Sequence, residues 1–145
     1  MNKFIQEDIF YRLKNTKSYV ILAEVPEHHY TRKILFKKPI KWHLEFNVAA
    51  WIRVYNRNQV DLHLAIHYQD DENHKETLIE TNVGNDIAML FSGVAKLTPV
   101  GNIHKMSVVL KGINNLSQIN VEELLLQRNN KTSNKSLQPH VFKTL

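Results

Sequence analysis

The stretch KWHLEFNVAAWIRVYNRNQVDLHLAIHY, Lys41 to Tyr68, decides the fold class. From Trp42 onward the apolar residues alternate: Trp42, Leu44, Phe46, Val48, Ala50, Ile52 and Val54. After the polar break Asn56-Arg57-Asn58-Gln59 the alternation resumes with Val60, Leu62, Leu64, Ile66 and Tyr68. A period of two marks a half-buried strand, because successive side chains leave opposite faces of a sheet. The stretch therefore predicts two long strands joined as a β-hairpin. Matching the apolar faces sets Val54 opposite Val60, since a slip of one residue would turn every side chain over.

That register gathers a second set of residues on the outward face. Arg53 would face Asp61, Trp51 would face His63, Asn47 would face His67, and Glu45 would face Gln69, each within interaction range of its neighbour. Asn47, Trp51, Arg53, Tyr55, Asp61, His63 and His67 thus form the candidate ligand-binding set. Trp51 and Tyr55 offer flat apolar rings for stacking, and the others offer hydrogen bonds. The plainer reading is a surface ion pair between Arg53 and Asp61 beside a tryptophan that covers a sheet edge.

Around the hairpin the chain reads as further short strands. Tyr19-Val20-Ile21-Leu22-Ala23 predicts a buried strand, and Ile34 to Phe36 a short one. Asp70-Asp71-Glu72-Asn73 predicts a turn, Lys75 to Thr81 a strand, and Asn82 to Asp86 a loop. Met89 to Leu97 predicts a strand with a bulge or bend at Gly93. Met106, Val108 and Leu110 alternate in another strand, and Ile119 leads into a last one through Leu126. The pattern predicts an all-β, two-sheet sandwich with a short N-terminal helix or extension, which the resemblance given below makes a jelly roll. Residues 1–17 form that extension, with helical spacing over Phe4 to Leu13; 18–128 form the sandwich; 129–145 are polar enough to predict a flexible tail.

At 145 residues the chain is long enough for one domain to bury a core without staples. It has no cysteine, so disulfides and thiol chemistry are excluded. No secretory leader and no apolar stretch of membrane-spanning length is visible, which predicts a cytoplasmic protein without a membrane span. The formal net charge is +5. Part of the excess lies in Arg32, Lys33, Lys37, Lys38 and Lys41, but these interleave with Ile34, Leu35 and Phe36, as lysines guarding a strand edge would. With no recognition helix, zinc-finger spacing or aromatic RNA-binding motif, nucleic acid is not an expected partner.

Catalytic and metal chemistry find little support. There is no Gly-x-Ser-x-Gly elbow, glycine-rich phosphate loop or His-Glu-x-x-His motif. His63 and His67 are four apart on a strand, about 13 Å, too far to share one ion. Glu45 and Asp61 would lie about 27 Å apart along the predicted hairpin, and Glu122 and Glu123 would point to opposite faces. A non-catalytic protein without metal or cofactor is expected.

The strand sequence resembles the jelly-roll carbohydrate-binding modules that accompany xylanases. Pro39-Ile40-Lys41-Trp42-His43-Leu44-Glu45-Phe46-Asn47-Val48 is similar to their proline followed by a Tyr-x-Leu-x-Phe-x-Val strand. Leu64 to Asp70 is similar to a strand closing on aromatic-x-Asp. Leu90-Phe91-Ser92-Gly93-Val94-Ala95-Lys96-Leu97-Thr98-Pro99 resembles Leu-x-Gly-x-x-x-Leu-x-Pro, and Val121-Glu122-Glu123-Leu124 the closing Val-Asp-Asp-Leu strand. The family's Asn-Gly-x-Phe-Glu opening, which helps to hold a structural calcium, has no counterpart in Met1 to Tyr11. Asp70 to Ile79 and Ile113 to Leu126 also look like segments of the small accessory Sec proteins of Gram-positive bacteria. The first resemblance implies a glycan or glycoprotein ligand. The second implies a protein-interaction subunit of an accessory secretion complex for glycosylated adhesins.

Overall fold

A computed structural model describes residues 9–10, 19–31, 40–55, 60–84, 87–113, 118–129 and 140–142. The strands are β1 (Ile9–Phe10), β2 (Tyr19–Glu24), β3 (Leu44–Val54), β4 (Val60–Gln69), β5 (His74–Gly84), β6 (Ala88–Leu97), β7 (Lys105–Lys111), β8 (Ile119–Asn129) and β9 (His140–Phe142). The only helical element among the described residues is a 3-10 turn at Glu27–His29. Two antiparallel sheets pack as a sandwich, one of five strands in the order β1-β5-β4-β7-β2 and one of four in the order β6-β3-β8-β9.

The order explains the connections. From β2 to β8 every link changes sheet except the β4–β5 hairpin. The pairs β3–β8 and β4–β7 nest inside one another, and β6 and β5 fold back beside β3 and β4. A ribbon of antiparallel pairs wound in this way is the jelly-roll arrangement.

The predicted hairpin between β3 and β4 does not exist. β3 lies between β6 and β8 in one sheet, and β4 lies between β5 and β7 in the other. Alternation reports which side of a strand is buried, and it reads the same whether two strands lie side by side or face each other across a core. Here the faces meet. Leu44, Phe46, Val48, Ala50, Ile52 and Val54 of β3 pack with Leu62, Leu64, Ile66 and Tyr68 of β4 in one core. Strand parity holds along all of β3, from Leu44 to Val54. Trp42 is buried and donates from Nε1 to the Gly101 carbonyl at 2.6 Å.

Other expectations are corrected by how edges and corners form. Ile9 and Phe10 are strand rather than helix, paired with Glu76 and Lys75 of β5; the rest of the proposed helix, Phe4 to Leu13, lies outside the described residues. In the expected tail, His140–Phe142 pairs with Leu124 to Leu126 of β8. The run Tyr19 to Ala23 is an edge strand, with Ile21 on its exposed side. β5 continues to Gly84 through residues expected to form a loop. The proposed strand Ile34 to Phe36 and the basic cluster from Arg32 to Lys38 lie outside the described residues.

Gly93 makes no bulge, since β6 runs in unbroken register against β3. Its value is closeness: a Cβ there would sit 2.9 Å from the Ile79 carbonyl oxygen, where β5 and β6 close one side of the sandwich. The bulges fall elsewhere. One in β8, opposite Trp51 and Ile52, leaves both Glu122 and Glu123 exposed instead of on opposite faces.

Candidate functional site

The sandwich has two outer faces, and they differ chemically. On the four-stranded sheet, the odd-numbered residues of β3 point outward, as the alternation requires. Trp51 is 42 % exposed, and Leu90 of β6, its direct cross-strand partner, is 43 % exposed. Val94 and Tyr55 extend this apolar band toward its two ends, both exposed. Ala49 and Leu125, half-buried and paired across β3 and β8, form its floor. The polar groups gather at one margin: Asn47 donates to the Asn129 side chain at 2.6 Å, and Asn129 donates to Glu45 at 2.7 Å. On the β8 side of Trp51 lies Glu123.

On the five-stranded sheet the outward side chains are covered at the centre, while Ile21, Asp61, His74, Val83 and Lys105 around it are exposed. Ala65 and Val109, adjacent on that face, are fully buried. Tyr19 and Lys111 start in the row of His63. The Tyr19 ring meets the His67 ring edge-on at 4.9 Å, and Lys111 Nζ reaches Glu76 at 3.1 Å. Both side chains therefore cross the Ala65–Val109 row. His67 Nε2 lies 2.8 Å from Glu76 Oε2. Burial pushes the Glu76 carboxyl up, but the His67 hydrogen bond and the Lys111 ammonium outweigh it and hold its pKa below the ordinary carboxylate value. An ionised Glu76 only accepts, so Nε2 of His67 carries the proton in that bond.

The loops at one end are tied by two aspartates. Asp70 is buried and accepts from the backbone N–H groups of Glu72, Asn73 and Val100, and from Lys75 Nζ at 2.9 Å. Burial alone would raise its pKa, and these donors, Asn73 and Val100 foremost, bring it below the usual value. Asp71 accepts from the Asn102 N–H and from His104, which lower its pKa as well. Gly101, between them, has φ of +72°, a conformation in which any other residue would be strained.

The predicted binding set is split by this architecture. Asn47, Trp51, Arg53 and Tyr55 lie on the outer face of the four-stranded sheet, while Asp61, His63 and His67 lie on β4, on the outer face of the five-stranded sheet. With the core between them, the cross-strand pairs expected between Arg53 and Asp61, Trp51 and His63, Asn47 and His67, and Glu45 and Gln69 cannot form. His63 instead lies 2.7 Å from the Thr81 hydroxyl, and His67 is buried against Glu76. Glu45 and Asp61 are likewise in different sheets. No group of three or more metal-ligating side chains converges among the described residues.

The sequence pattern missed Leu90 and Val94, because Met89-Leu90-Phe91 is apolar on both parities and does not show which side faces out. It also missed Glu76 and Lys111, which meet only through the sheet order. Comparison with protein-family models, with curated proteins and with solved structures gives no match to this chain. No helix among the described residues is long and apolar enough to cross a membrane.

Proposed function

We propose that this chain is a non-catalytic β-sandwich module that docks a protein partner on the outer face of its four-stranded sheet, centred on Trp51. The carrying observation is the cross-strand pair of Trp51 and Leu90, with Tyr55 beyond Arg53 and Val94 beyond Ser92 on the same face, four apolar side chains each exposed by 40 % or more. Exposed apolar side chains rimmed by polar groups are what protein interfaces use, with tryptophan and tyrosine as anchors. The resemblance to the small accessory Sec proteins supplies a setting, that of a cytoplasmic subunit in an export complex for glycosylated adhesins.

A glycan ligand is the second reading, favoured by Trp51 and Tyr55 sharing a face with Asn47 and Arg53. Against it, the Asn47 amide is engaged by Asn129, and Asp61, His63 and His67 are on the far side of the molecule. The test pairs cross-linking and co-purification with a glycan array, followed by titration of the purified partner against the wild-type chain and Trp51→Ala. A protein partner whose affinity falls about thirtyfold in Trp51→Ala, equivalent to roughly 2 kcal/mol, is the expected result. Array binding abolished by the same substitution, with no protein partner, would replace this reading with the glycan one.

A further inference from the structure

The outward side chains of the four-stranded sheet fall into rows that run across β6, β3 and β8. The middle row is Ser92, Ala49 and Leu125, and the rows on either side of it complement each other. Toward one end of the strands stand Leu90, Trp51 and Glu123, and toward the other Val94, Asn47 and Gln127. One row further out, Arg53 lies beside Ala88 at the first end, and Glu45 beside Lys96 at the second. Ala49 is thus the midpoint of β3 on this face, with Trp51 and Asn47 two residues away on either side and Arg53 and Glu45 four.

We infer that this face pairs with the same face of a second copy of the chain, about a two-fold axis that crosses the strands through Ser92, Ala49 and Leu125. The inference rests on the docking reading above and names its partner. An axis of this kind sets each residue on the one equally far from the middle row in the other copy. Leu90 then meets Val94 of the second copy, both apolar and both exposed by 40 % or more. Trp51 covers Asn47, Glu123 accepts from the Gln127 amide, and Arg53 pairs with Glu45. Lys96 meets Ala88, so no like charges are opposed in these rows. The residues on the axis, which must meet their own copies, are small or apolar. Sheets stacked face to face in proteins lie about 10 Å apart with strands within about 30° of alignment. The two copies would stack in this way, and the long side chains of Arg53 and Glu45 span the divergence toward the ends.

Charge selects this axis over its alternatives. An axis along β3 would set Glu45 on Glu45 and Arg53 on Arg53. One moved a row toward Trp51 would set Glu123 on Glu123. Like charges opposed across an interface suppress pairing. From Ala88 to Lys96 the face runs about 27 Å along the strands, at the small end of specific interfaces, so the dimer is reversible rather than permanent.

The experiment is sedimentation equilibrium of the full chain up to about 1 mM, with charge-reversal variants. The wild type should dimerise reversibly. Ala49→Arg sets two cations together on the axis and should weaken association at least about tenfold, with a thermal midpoint little changed because position 49 points outward. Arg53→Glu and Glu45→Arg should each weaken the dimer, since like charges then meet. The double variant Arg53→Glu/Glu45→Arg should return it to within about threefold of the wild type. Lys105→Glu, on the other sheet, should dimerise as the wild type does. The inference is overturned by a chain that is monomeric at every concentration, by association that Ala49→Arg leaves intact, or by a double variant no better than the single ones. A foreign protein captured by a monomeric chain and lost in Trp51→Ala would remove this inference and keep the docking reading.

Discussion

The two outer faces of this sandwich are built from strands with the same alternating grammar, yet the centre of one is open and the centre of the other is closed. On the four-stranded sheet, Trp51 and Leu90 stand in solvent. On the five-stranded sheet, Ala65 and Val109 are fully buried, and His67, Glu76 and Ser107 almost so. The difference comes from what the neighbouring strands supply. β2 and β7 send Tyr19 and Lys111 across the centre of their face, Tyr19 to the ring of His67 and Lys111 to the buried carboxylate of Glu76. β6 and β8 set Leu90 and Glu123 on either side of Trp51, both exposed, with Ser92 and Leu125 in the next row. A face closed by a polar network should answer mutation through stability, and an open apolar face through binding.

The largest effect expected on either outer face is at the centre of the closed one. Glu76→Ala leaves the buried Nε2–H of His67 without its acceptor and Lys111 without its counter-charge, and removing the buried partner of both costs about 3 kcal/mol. Urea unfolding of the variant reads this as a lowered midpoint with an unchanged slope. A loss below about 1 kcal/mol would mean that the face is open to water and the comparison fails.

Next comes Trp51→Ala on the open face. Its stability cost should stay below about 1 kcal/mol, because truncation of a half-exposed side chain opens no cavity, while partner affinity falls by about 2 kcal/mol. Trp42→Ala supplies the contrast, losing about 3–5 kcal/mol of stability through the cavity it leaves and the lost bond to Gly101. Should Trp51→Ala unfold the protein and Trp42→Ala leave it intact, the inside and outside of β3 are exchanged.

These two tryptophans also show how far the sequence could be read. Their opposite placement follows from parity alone, because Trp42 and Trp51 are an odd number of residues apart on one alternating run. The all-β class and the inward set on β3 and β4 were legible for the same reason. The pairing of β3 with β6 and β8 was not, since alternation carries no information about which strand lies alongside. The site inherited that gap: Asn47, Trp51 and Arg53 were found together because they share a strand that Tyr55 directly follows, whereas Asp61, His63 and His67 were joined to them only through a hairpin that does not form. β1 and β9 are two and three residues long and held by pairing to β5 and β8, too short for any periodicity to show.

A smaller effect separates the faces by pH. The Glu76 carboxyl has a folded pKa below its ordinary value, so its ionised form stabilises the fold. That contribution is present above the unfolded pKa and is lost as the pH falls through the lower folded one. Asp70 acts with the same sign. Stability should therefore decline on acidification below the ordinary carboxylate range, and Glu76→Gln should flatten that decline without abolishing it, because Asp70 remains. Thermal midpoints measured across the acid range for both proteins check this. Equal slopes in wild type and variant would detach Glu76 from the stability of the closed face.

The finest test places one conservative chemical change at matched positions on the two faces. Val94 and Val109 both point outward from β-strands, Val94 exposed and Val109 fully buried. Val→Thr keeps the branched shape and β propensity and replaces one methyl group by a hydroxyl. At Val94 water satisfies the new hydroxyl, so stability should change by no more than about 0.5 kcal/mol. At Val109 the hydroxyl is taken out of water beneath the Tyr19 and Lys111 side chains, at a cost of about 1–3 kcal/mol. The difference between the two urea midpoints measures the cover itself, with side-chain volume and strand propensity cancelled. If Val109→Thr proves as mild as Val94→Thr, water reaches Val109, and Tyr19 and Lys111 do not seal the face between them.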